Sequence, residues 1–170
     1  MAPNERSQTN VSKPAVCFSQ PRSKYPKRKI VPTTISPKEN KNEMKDHGVV
    51  EKMKRFIPCN NELLLQISLR LIFNLTFDAE LRAHMNECGM IPKFVEILKA
   101  PGFRALILKI LYHLSQEDKL KATFTYTECI PLCFQLIIHC PEPIVGKELV
   151  ALAINLTTNS RNSEIMAQEG

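Results

Sequence analysis

The side chains best suited to proton transfer near neutral pH are His47, His84, His113 and His139, and they are scattered along the chain rather than gathered. No Gly-rich phosphate loop, nucleophile elbow or pair of carboxylates at a catalytic spacing accompanies them, and glycine occurs only five times in 170 residues. Cys129, Cys133, His139 and Cys140 invite a zinc reading, since 129, 133 and 140 fall on one face of a helix. Their spacing matches no standard finger. The sequence therefore points to no catalytic residue, no cofactor and no metal. What remains is the chemistry of recognition: amide, imidazole and cationic groups carried at helical spacing.

These groups sit on long apolar stretches. Residues 61–77 read NELLLQISLRLIFNLTF, too long for one strand and apolar around most of a helix, with Gln66, Arg70 and Asn74 at intervals of four as one polar ridge between packed flanks. So greasy a helix needs several neighbours, and the sequence supplies them. Phe73-Asn74-Leu75-Thr76 recurs as Tyr112-His113-Leu114-Ser115 and Ile154-Asn155-Leu156-Thr157, at steps of 39 and 42 residues. Gly48-Val49-Val50, Gly89-Met90-Ile91 and Glu128-Cys129-Ile130 recur in parallel, at 41 and 39. Helical repeats of about 40 residues are the pattern of armadillo and HEAT arrays.

A short, a medium and a long helix in each unit favour the armadillo type. The expected helices are 39–46, 49–57 and 62–77, then 80–87, 91–98 and 103–114, then 118–126, 131–139 and 143–156, with 163–168 opening another unit. Breaks fall at Cys88-Gly89, Ala100-Pro101-Gly102 and Pro141 to Pro143. The expected fold is thus an all-α armadillo-type solenoid of about three repeats, 38–77, 78–115 and 116–158, with a fourth starting at 159–170. Its third helices would align Asn74, His113 and Asn155 as a ladder, with Arg70, Lys109 and Ala151 one turn before them. Asn74, His113, Asn155, Arg70, Lys109 and Gln66 are the candidate partner-binding residues. A purely structural role, capping and organising the repeats, competes with partner binding for the ladder itself.

Charge separates the two parts of the chain. The formal net charge of +6 falls within residues 1–37, whereas 38–170 hold 16 basic and 16 acidic side chains. The neutral array argues against nucleic acid, and no run is long enough to span a membrane. The basic tail carries six of the twelve prolines and few large apolar residues, so it is expected to be disordered. Without a disulfide rhythm, the six cysteines read as reduced, core-filling thiols of a cytosolic protein.

The wording of the repeats is more specific than their period. ENKNEM at 39–44, VVEKMKRFIPC at 49–59, LLLQISLRLIFNLTFDAELR at 63–82, ILYHLS at 110–115, FTYTECIP at 124–131 and INLTTNSRN at 154–162 resemble the kinesin-associated protein family. Members of that family are non-motor accessory subunits of heterotrimeric kinesin-II. The resemblance implies an armadillo scaffold without ATPase activity. It would join the tails of the kinesin-II motor subunits to cargo adaptor proteins in intraflagellar and vesicle transport, in the cytoplasm, on microtubules and at the cilium. Residues 1–37 fall outside the resemblance, and the family continues for further repeats, so a fragment of three repeats is expected. Other armadillo adaptors, catenin-like or nuclear-import-like, are the alternative. Import receptors resemble one another in a tryptophan ladder, and this chain has no tryptophan.

Overall fold

Two glycines show how one repeat is assembled. Gly48 and Gly89 take left-handed φ values of 57° and 66°, a region that costs a residue with a Cβ far more. Each closes the preceding helix through its own N–H, Gly48 to the Lys45 carbonyl at 2.9 Å and Gly89 to that of Asn86 at 2.8 Å. The next helix then starts at once. The third repeat has Glu128 at this register, with φ of −76°, and it turns the corner with right-handed backbone.

In this computed structural model, residues 37–169 are described. The expected disorder of the basic tail, and Cys17, lie outside them. The described chain is α-helical: α1 (Pro37–Asp46), α2 (Val49–Met53), α3 (Glu62–Leu75), α4 (Ala79–Glu87), α5 (Met90–Leu98), α6 (Pro101–Leu114), α7 (Asp118–Phe124), α8 (Cys129–Ile138), α9 (Lys147–Thr157) and α10 (Ser160–Glu169). A 3-10 turn, Lys54–Phe56, follows α2. The order repeats a triplet, and the third helices pack side by side, α3 on α6 and α6 on α9. This is an α-solenoid.

Local chemistry sets most boundaries. Asn61 and Asp78 cap α3 and α4, each accepting from an N–H three residues on, at 2.9 and 3.1 Å. Pro101 was expected to mark a break but serves as the first residue of α6, where its missing N–H costs nothing. Two helices are shorter than their apolar pattern suggests. The second ends at Met53 in the tighter turn instead of reaching Ile57, and α9 starts at Lys147 rather than Pro143. Pro141 and Pro143 bias their predecessors away from helix, and Gly146 becomes the N-cap of α9.

The core runs along the stack as one cluster. Ile107, Ile110, Leu111 and Leu114 on α6 are fully buried, as are Phe94 on α5 and Phe124 on α7. Removing a central side chain should therefore cost far more than removing an exposed one. Leu111→Ala is expected to lower stability by about 2–5 kcal/mol. Ile67→Ala, at a side chain 57% exposed, should change it by less than about 0.5 kcal/mol. Urea unfolding followed by circular dichroism measures both.

Candidate partner-binding face

The ends of the third helices carry an interlocking set of polar contacts. Thr76, Ser115 and Thr157 each donate their hydroxyl back to the carbonyl three residues earlier: Phe73 at 2.6 Å, Tyr112 at 2.7 Å and Ile154 at 2.6 Å. A hydroxyl has one proton, so in each case its lone pairs remain available. The next repeat uses them. His113 Nδ1 lies 2.7 Å from Thr76 Oγ1, and Asn155 Nδ2 donates to Ser115 Oγ at 3.1 Å. Because Thr76 has already given its proton to Phe73, the His113 contact requires Nδ1 to carry the hydrogen.

Burial, with the Arg82 charge second, holds the His113 imidazole below the usual pKa of 6.5 and so keeps it neutral. Phe73 and Phe77 pack on the ring with centroid separations of 5.3 and 4.6 Å. Thus two of the expected partner-binding residues are engaged between repeats, while Asn74 stands exposed ahead of the first rung.

First helices make a second series of rungs. Lys45 reaches Asp78 at 3.2 Å, Arg82 pairs with Glu117, and Lys121 donates to Thr158 Oγ1 at 2.8 Å. Lys45 and Arg82 thereby tie their helices to the start of the first helix in the following repeat, and Lys121 ties α7 to the end of α9. Lys121 and Asn162 are buried, and Asn162 Nδ2 donates to the Lys121 carbonyl at 3.1 Å. These contacts are structural.

The other candidates face outward. Gln66, Arg70 and Lys109 are exposed on α3 and α6. Lys109 and His113 border a cleft of about 390 Å³ together with Phe73, Tyr112, Lys147, Glu148 and Ala151. The flanks of the α3 ridge, expected to be packed, are partly open: Leu63 is 66% and Ile67 57% exposed, and Phe77 and Ile154 are each 59% exposed. Among the described residues no further helix covers these apolar side chains. Sequence reasoning missed them and Lys147. Its signal was present, since 63, 67, 70, 74 and 77 follow one helical stripe and Lys147 occupies in α9 the register of Gln66 in α3.

The zinc reading of α8 also resolves. Cys129 and Cys133 are buried with their sulfurs 3.9 Å apart, while His139 is exposed beyond the helix end. Cys59, Cys88, Cys129, Cys133 and Cys140 are free thiols. Among the described residues no helix is long and apolar enough to cross a membrane.

A triplet solenoid with an uncovered face of cations and large apolar side chains defines a helical-repeat protein of the kind that binds other proteins. Comparison with protein-family models matches residues 33–170 to the kinesin-associated protein (KAP) family, and the chain belongs to it. It is therefore a kinesin-associated accessory protein. The match starts six residues before the point at which the repeat wording becomes recognisable at Glu39.

The His113 rung has a definite pH signature. Its folded pKa lies below 6.5, so as pH falls the unfolded chain takes up the proton first and stability declines from about pH 6.5 downward. His113→Asn keeps an N–H donor for Thr76 and should flatten that decline. His113→Leu should lose about 1 kcal/mol at pH 7.5 as well. Urea midpoints measured between pH 7.5 and 5.5 test both statements.

Proposed function

We propose that this chain is a non-catalytic scaffold of the kinesin-II motor complex, and that the outer face of α3, α6 and α9 receives a segment of the motor tails. The supporting observation is the combination of family membership with exposed Leu63, Ile67, Phe77 and Ile154 interspersed with Arg70, Lys109 and Lys147. Exposed apolar side chains interspersed with charge are common in protein-binding surfaces. The cations select an acidic segment and raise its encounter rate, while the apolar anchors supply most of the affinity. Gln66 and Asn74, on the same ridge, offer hydrogen bonds that fix the register of the bound segment.

In this reading, residues 1–37 form a tail, 38–77, 78–115 and 116–158 are the three repeats, and 159–170 open a fourth. Motor tails dock on one part of the array and cargo adaptor proteins on another, linking the motor to its load in microtubule-based transport, including intraflagellar transport in cilia. The protein works in the cytoplasm beside microtubules. It engages neither nucleic acid nor the membrane interior.

The test is binding of fluorescently labelled kinesin-II tail segments to the purified chain. Arg70→Glu combined with Lys109→Glu should weaken binding by about tenfold or more, equivalent to about 1.4 kcal/mol, and should reduce its salt dependence. Leu63→Ala with Ile67→Ala should weaken it without altering the salt dependence. Unchanged affinity in both double variants would remove this face from the interaction.

A further inference from the structure

On the side of the first two repeats, three side chains of three chemical kinds meet. Glu51 from the first turn of α2, and His84 and Cys88 from the end of α4, bring a carboxylate oxygen, a ring nitrogen and a thiol sulfur within 4.8 Å of one another. His84 and Cys88 are four residues apart, which places them on one helix face. The Cys88 N–H bonded to the His84 carbonyl at 2.9 Å keeps that last turn helical. His84 Nε2 is in hydrogen-bond contact with Glu51. Gly48 leaves the carboxylate its room, since a Cβ there would lie 3.1 Å from Glu51 Oε2. Among the described residues this is the one group of three such donors close enough to hold an ion.

We infer that Glu51, His84 and Cys88 form a binding site for a borderline divalent cation of the zinc type. Sulfur, imidazole and carboxylate are the donor set such an ion selects. Tetrahedral coordination needs donor atoms about 3.5 Å apart, which small side-chain rotations deliver from the present spacing. The three donors leave the fourth position to water. His84 is about one-third exposed and Glu51 about half, so ions reach the site from solvent.

The surrounding charges fit a cation exchanging for a proton. Partial burial, then the Glu51 charge, push the Cys88 thiol pKa up, with Glu87 adding slightly and Lys54 opposing. The Glu51 carboxyl is held low by its own backbone N–H and by His84, against partial burial. The carboxylate is thus already ionised, and binding requires one proton to leave the thiol: Cys88 S–H plus the dication gives the Cys88 thiolate–metal bond and a proton released to solvent. The ion would fasten α2 of the first repeat to α4 of the second, independently of the polar rungs between third helices.

The test uses the full chain, freed of metal by a chelator and kept reduced, titrated with Co²⁺ and with Zn²⁺ against a chromophoric competitor. One equivalent should bind. Co²⁺ should produce a thiolate charge-transfer band in the near ultraviolet, and zinc affinity should rise with pH, since binding releases the thiol proton. Cys88→Ser should abolish the band, and His84→Gln and Glu51→Gln should each weaken zinc binding at least about tenfold. Cys140→Ser should retain both. Zinc should raise the Tm of the parent chain and leave that of Cys88→Ser unmoved. Absence of a stoichiometric site, or a band that survives Cys88→Ser in a variant with native circular dichroism, would overturn the assignment.

Discussion

The fold depends on the burial of α6 between two helices of its own kind. Ile107, Ile110, Leu111 and Leu114, at i, i+3, i+4 and i+7, form one stripe removed from water, and Leu108 and Leu106 on either side of it widen the packed surface beyond what one partner covers. At roughly 1.5–3 kcal/mol for each large apolar side chain buried, leaving one flank open would cost a sizeable part of a domain's net stability. The solution is translational: α3 covers one side and α9 the other, and each brings its own short and medium helices along. A stack follows from this more directly than a closed globule does, because the same apolar need arises again one step along.

Apolar burial fixes proximity but not register, and the polar rungs supply the second. A hydroxyl that bonds back to its own helix has its proton committed and its lone pairs aimed at the neighbour, so only a donor at one place can complete the contact. Imidazole does this at residue 113 and a carboxamide does it at 155. The cations of α1, α4 and α7 repeat the principle at the far end of each unit. Arg70, Lys109 and Lys147 stand exposed on the third helices, outside both series of rungs.

Much of this was legible in the sequence. The step of about 40 residues identified the triplet, and Cys88-Gly89 marked a corner between helices. Where the reading missed, a local term had been outweighed. Pro101 looked like a stop but opens a helix, and the apolar run through Ile57 promised a longer α2 than the turn at Lys54–Phe56 allows. Leu63 and Ile67 looked like core because hydrophobicity alone does not say which side of a layer lacks a cover. The contacts of His113 with Thr76 and of Asn155 with Ser115 were hidden for another reason. The same motif that displays these residues as a ladder also holds their acceptors, and only coordinates show that one rung reaches the next. Glu51 lies on a different helix from His84 and Cys88, with no spacing rule to connect it to them.

The polar rungs between third helices all point the same way: the later repeat donates and the earlier one accepts. Rungs between first helices run the other way, with Lys45 and Arg82 of the earlier repeat donating to Asp78 and Glu117 of the later one. Each junction between repeats is therefore stitched by protons given from both sides, so losing a donor on one repeat leaves the opposite series of stitches in place.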